Sequence, residues 1–240
     1  MGSPERGGDT LRVGVTVLLW CSVLIAPALA EGQKAEAQTR ESQAAMTPSR
    51  ALARLQEGNA RIVGNATRKR DWSAKVVATA TGQFPFAAIP ACMDSRAPVE
   101  IVFDQGIGDV FGVRVAGNVV NDDELGSLEY AAKVGAKLIV VLGHTGCGAV
   151  KGKLADVRLG NLTGLLAKIR PAIAAAGCHN ASDDACVTSV AGKNVLQSMR
   201  EIRERSAYLA SDLQEGKLEL VGAMYDVSTG KVTLLRPDGS

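Results

Sequence analysis

Hydrophobic positions along the 240-residue chain change period several times. In "SRALARLQEGNARIV", Leu52, Leu55, Ile62 and Val63 fall near one face at helical spacing, predicting a helix from Pro48 onward. A second short helix is predicted over 72–81. Three compact apolar runs follow, 86–91, 110–115 and 137–142, the last containing "LIVVL", and each has the length of a buried strand. Helical windows separate them. The clearest covers 122–134, where Asp122 and Asp123 suit a helix N-terminus by capping and by the dipole. Residues 159–176 read as helix with a break at Pro171, and Val195, Met199, Ile202, Ser206 and Leu209 mark a longer helix on a 3.6 period. The stretch "KLELVGAMYDVSTGKVTLL" gives two β-runs around Ser228-Thr229-Gly230, a turn with glycine where positive φ is needed. Strand alternating with helix predicts an α/β fold: a central, mostly parallel β-sheet flanked by helices, with a C-terminal β-hairpin. No internal repeat interrupts it.

The first thirty residues break this pattern. Arg6 and Arg12 precede an apolar run over 13–26, and Ala28-Leu29-Ala30 supplies the small-x-small site that a signal peptidase cuts. The run is shorter than the roughly 20 residues a bilayer span requires, so 1–30 reads as a signal peptide, with an uncleaved anchor as the alternative. Cys21 lies inside the run and is given no function. Residues 31–47 are polar and aperiodic, which predicts a mobile leader, and 48–240 then form one domain.

Composition narrows the function. Hydrophobic residues at 46% and charged residues at 22% suit a globular domain with one sizeable core. Lys and Arg number 27 against 25 Asp and Glu, with no long run of either sign, so neither a nucleic acid nor a membrane surface is expected as partner once the signal is cleaved. Aromatics at 4% argue against a base-stacking surface as well. Beyond the signal, four cysteines remain: Cys92, Cys147, Cys178 and Cys186. An even count in an exported chain suggests disulfides first, which must be tested pair by pair.

Cys92 ends one predicted strand in "FAAIPACMDSRAPVE", His144 ends another in "KLIVVLGHTGCGAVKG", and Cys147 stands at the start of a helix. Binding groups gather at the carboxyl ends of strands in open α/β sheets. Two thiolates and one imidazole suit Zn²⁺ and leave a fourth position open, where a water can be deprotonated near neutral pH. Taken alone, H-x-x-C is weak, and the glycines at 143, 146 and 148 also fit a purely structural turn. Asp94 is placed to accept a hydrogen bond from such a water, and Arg96 to hold the carboxylate in a bidentate pair. The alternative is a capping aspartate with a surface ion pair worth under about 1 kcal/mol. Cys178 and Cys186 enclose "HNASDDA"; a disulfide there would contribute about 2–3 kcal/mol, whereas a second metal site with His179 lacks ligands.

The elements "CMDSR" and "HTGCG" resemble the C-x-D-S-R and H-x-x-C-G motifs of the β-class carbonic anhydrases, in the same order and at similar separation. The resemblance covers essentially 49–235. It implies Zn²⁺ held by Cys92, His144 and Cys147, an Asp94–Arg96 dyad, and reversible hydration of CO₂ to bicarbonate. It also implies that Gln83, Phe111 and Tyr130 line the substrate cleft near the Gly148 amide. A homodimer or tetramer is expected, with N-terminal helices packing on the partner and clefts at the interface. For an exported bacterial member the compartment would be the periplasm. Met93 and Val115 depart from common family residues, and Ile89 stands where some members carry the tryptophan of a bicarbonate-regulation site, so no such regulation is expected although Arg114 is present. Rival readings are hydrolysis of carbonyl sulfide or carbon disulfide on the same scaffold, and a non-catalytic zinc-stabilised binding protein.

Overall fold

The computed structural model describes residues 1–3 and 37–235. The expected signal peptide, beyond its first three residues, lies outside the described residues. The described residues from 37 onward belong to one compact unit.

The described part of the polar leader carries a short helix, α1 (Arg40–Ala44). No apolar period announces it. Its signal is a capping box, in which Thr39 Oγ1 accepts from the Ser42 amide and Ser42 Oγ accepts from the Thr39 amide. Gln43 is buried beneath it and donates to the Pro85 carbonyl at 2.8 Å. Then come α2 (Pro48–Val63), capped by Thr47 with proline in its first turn, and α3 (Trp72–Thr79), capped by Asp71.

Strands and helices then alternate: β1 (Ala87–Ala91), α4 (Val99–Val102), β2 (Val110–Arg114), a 3₁₀ turn (Ala116–Asn118), α5 (Asp122–Lys133) and β3 (Leu138–His144). The cap of α5 is Asn121, one residue before the expected aspartates. Its side chain accepts from the Glu124 amide while Glu124 accepts from the Asn121 amide. After β3 come α6 (Gly148–Leu154), α7 (Gly160–Ala167), α8 (Arg170–Ala176), α9 (Asp184–Arg205), α10 (Ala207–Gln214), β4 (Glu219–Tyr225) and β5 (Val232–Leu235). The expected break at Pro171 is present, with the proline in the first turn of α8. The long helix expected to run through Leu209 instead ends at Arg205. Ser206 turns extended (φ −117°, ψ 101°) and accepts from the Leu209 amide to cap α10, a bond its hydroxyl could not make inside a continuous helix.

The sheet runs β2-β1-β3-β4-β5, parallel through its first four strands, with β5 antiparallel to β4. Helices cover both faces, as buried parallel strands require. On one face Ala88, Ile139 and Val141 meet Leu128 of α5 and Val195, Met199 and Ile202 of α9. On the other, Ile89, Leu138 and Val140 meet Leu55 of α2, Val99 and Phe103. Each of these large side chains contributes about 1.5–3 kcal/mol by leaving water. Gly143 lets α9 close on β3, since a Cβ there would lie 2.6 Å from Val195 Cγ2. Beyond the carboxyl ends of β1 and β3, a third cluster gathers Cys92, Cys147, Val150, Ile169 and Val187.

Candidate metal centre

Cys92 directly follows β1, His144 closes the adjacent β3, and Cys147 caps the N-terminus of α6. Parallel pairing of β1 with β3 therefore brings the three side chains together. One donor atom from each lies within 4.8 Å of the other two, and all three residues are buried. His144 Nδ1 donates to the Thr145 carbonyl at 2.9 Å, which leaves the lone pair on Nε2. Nε2 is itself buried and has no hydrogen-bond partner among the described residues. An orphaned buried acceptor of this kind costs about 1–3 kcal/mol. A cation between nitrogen and sulfurs removes that cost, and two thiolates with one imidazole are the donor set zinc favours.

The sulfurs are prepared in the same sense. Gly117 donates its amide to Cys92 Sγ at 3.2 Å from the 3₁₀ turn. Its positive φ of 69° suits glycine, and a Cβ would meet Ile169 Cδ1 at 2.9 Å. The neighbouring Cys147 thiol pulls Cys92 below the ordinary thiol range, and Cys92, with burial, pushes Cys147 up.

Asp94 and Arg96 occupy the turn after Cys92. Arg96 Nε donates to Asp94 Oδ1 at 2.9 Å, Nη2 to Oδ2 at 2.8 Å, and the Arg96 amide to Oδ1 at 3.0 Å. These bonds hold the Asp94 carboxyl well below the usual carboxylate range. Arg96 Nη2 also reaches the Gly146 carbonyl at 3.4 Å, tying the turn to the loop that carries Cys147. Asp94 Oδ2 lies 3.7 Å from His144 Nε2, so the anchored carboxylate faces the orphaned nitrogen.

The family model for carbonic anhydrase matches residues 87–232. Among curated proteins, carbonic anhydrase 2 of Mycobacterium tuberculosis is 36% identical over 194 residues, covering 78% of this chain and 92% of the relative. The carbonic anhydrase of Mycolicibacterium smegmatis is 35% identical, with 78% and 93% covered. Among solved structures, the β-carbonic anhydrase CafA of Aspergillus fumigatus superposes with a TM-score of 0.62 at 28% identity, over 79% of this chain and 90% of that one.

The chain belongs to the β-carbonic anhydrases. The matched residues of this β-carbonic anhydrase take in the three donors, Asp94 and Arg96, and end on the first residue of β5. The other residues expected at a cleft lie differently. Gln83 is exposed in the loop before β1, at the opposite end of that strand from Cys92, so one chain does not bring it to the donors. Phe111 of β2 and Tyr130 of α5 form an edge-to-face pair with centroids 6.0 Å apart, in an open depression on the β2 side of the sheet. Tyr130 is 55% exposed. Gly148 follows Cys147 as the first residue of α6.

Cys178 and Cys186 form a disulfide between the end of α8 and the start of α9. Cys92 and Cys147 are free thiols. Four residues around the donors escape a motif reading of this β-carbonic anhydrase. Arg114 grips the carbonyls of Cys92 and Asp94, and Thr145 fixes the His144 tautomer. Asn194 and Ser198 of α9 hold the carbonyls of Gly117 and Asn118. Arg114 and Thr145 lie within stretches the sequence already marks, "RVAGN" and "HTGCG", whereas Asn194 and Ser198 carry no such signal.

Proposed function

We propose that this β-carbonic anhydrase hydrates CO₂ reversibly at a zinc ion held by Cys92, His144 and Cys147. The observation that carries this reading is the buried, unpartnered Nε2 of His144, beside two sulfurs and 3.7 Å from Asp94 Oδ2. Bound zinc would supply the Lewis acidity that makes water a nucleophile near neutral pH. The chain's own residues supply orientation. Asp94, ionised and pinned by Arg96, accepts a hydrogen bond from the attacking water and turns its remaining lone pair toward the carbon of CO₂. Arg96 also keeps the carboxylate from wandering, because both oxygens are held in a planar fork. The Gly117 amide and the amides at the start of α6 stabilise negative sulfur, and Thr145 keeps the imidazole in its ligating tautomer.

The test is metal analysis of the purified protein alongside stopped-flow CO₂ hydration, before and after chelation and zinc return. One zinc per chain, with activity lost and restored together, is expected. Full activity in the metal-free protein would overturn the reading.

Two further features belong to it. The position of Gln83, at the far end of β1 from the donors, supports a cleft completed by a second copy, and a relative at 26% identity from Sordaria macrospora is described as tetrameric. Light scattering should find a dimer or tetramer. The disulfide supports export to an oxidising compartment such as the periplasm. Among the described residues no helix is long and apolar enough to cross a membrane. N-terminal sequencing of protein from its host should begin at Glu31.

A further inference from the structure

Arg114 is the last residue of β2 and pairs in register with Ala91, the residue before Cys92. Its Nε donates to the Cys92 carbonyl at 3.1 Å and its Nη2 to the Asp94 carbonyl. Those two carbonyls bracket the turn that carries both a donor sulfur and the anchored carboxylate. Asp94 is thus tied at both ends, its carboxylate by Arg96 and its backbone by Arg114. Three residues further on, the Gly117 amide reaches Cys92 Sγ, so the segment from Arg114 to Gly117 holds Cys92 at its carbonyl and at its sulfur.

We infer that Arg114 is a positioning residue for the hydration reaction: its planar guanidinium fixes the Cys92–Asp94 turn through two backbone carbonyls and so sets where the Asp94 carboxylate points. The inference rests on the function proposed above. A guanidinium suits the task because one rigid fork of donors spans two acceptors. A lysine has the charge without the fork. Without the clamp the turn is free to rotate about the Arg96 pair, which is more exposed, and the approach of Asp94 Oδ2 to His144 Nε2 is no longer enforced.

The test compares Arg114→Ala and Arg114→Lys with the parent, each loaded with zinc for kinetics and with cobalt(II) for visible spectra. Arg114→Ala should keep one metal per chain and its far-UV circular dichroism while kcat/KM falls about 10- to 100-fold, as when a partner that orients a metal ligand is removed. Its cobalt bands should shift in energy and intensity, because the donor turn has moved. Arg114→Lys should recover part of both. Parent-like kcat/KM together with a parent-like cobalt spectrum in Arg114→Ala would overturn the inference. If that variant fails to fold, the same comparison is read on Arg114→Lys, where reduced kcat/KM with shifted bands supports the clamp and parent values of both overturn it. A parent protein that binds metal yet hydrates no CO₂ would remove the functional reading instead, and the cobalt spectra would then decide on Arg114 alone.

Discussion

Asn194 donates from Nδ2 to the carbonyl of Gly117 at 2.6 Å, and that turn's amide in turn meets Cys92 Sγ. One helical turn on, Ser198 donates to the Asn118 carbonyl at 2.9 Å. Helix α9 therefore holds a left-handed turn that touches a candidate metal donor. Asn194 is 1% exposed, so Asn194→Ala leaves the Gly117 carbonyl unpaired in the interior. We expect a loss of about 1–3 kcal/mol in urea denaturation, together with faster zinc release to a chelator. An unchanged release rate would show that the turn keeps its shape without α9.

Asp94→Asn separates binding from chemistry. Asparagine retains an oxygen for Arg96 but sets its amide group against a second donor and cannot carry the negative charge. Zinc content should stay at one per chain while CO₂ hydration falls by about 100-fold or more. Retained activity would strip Asp94 of its orienting role.

Glu124, buried in the first turn of α5, gives a pH dependence of stability. Burial pushes its carboxyl up to about 7 against the Asn121 amide and the Lys168 charge, with the Glu201 charge adding to the rise. An acid whose folded-state pKa lies above its unfolded value of 4.5 favours folding while protonated. Its contribution is complete below that unfolded value and is lost as pH rises through about 7. Glutamine can still accept the Asn121 amide but has no proton to lose. Glu124→Gln should therefore be more stable than the parent at pH 8 by about 1–3 kcal/mol, with the advantage gone near pH 4.5. Denaturation curves at both pH values check this; a constant difference would place the ionisation elsewhere.

The cysteines can be counted. Denatured, metal-stripped but unreduced protein should titrate two thiols, Cys92 and Cys147, if the chain begins at Glu31, and three if Cys21 remains. Reducing the Cys178–Cys186 bond should lower stability by about 2–3 kcal/mol without releasing zinc. Four thiols in the shortened chain would mean that the bond does not form in solution.

The donors and the Asp94–Arg96 pair were legible because each sits in a short motif at the end of an apolar run, and the run's length already gave its strand. Helices α2 and α3 and strands β1 to β3 follow the periodicity to within a residue or two. What escaped depends on partners distant in sequence or on caps. Ser206 sits on the helical period, yet its hydroxyl bonds Glu129 and the Leu209 amide, and the helix stops before it. Helix α1 has a capping box and no apolar stripe. Asn194 reads as an interior polar residue of α9; only folding shows that Gly117, 77 positions away, needs it.

The neighbouring placement of β1 and β3 sets an order of events for the newly made chain. In the unstructured chain Cys92 and His144 are separated by helices and strands yet to form, so the complete three-donor set does not pre-exist. Cys178 and Cys186, eight residues apart, need only a short loop to meet, and closure entropy favours them. Oxidants acting on the nascent molecule would consume that nearby pair first, leaving the remaining sulfurs unspent until the finished sheet delivers them to the imidazole.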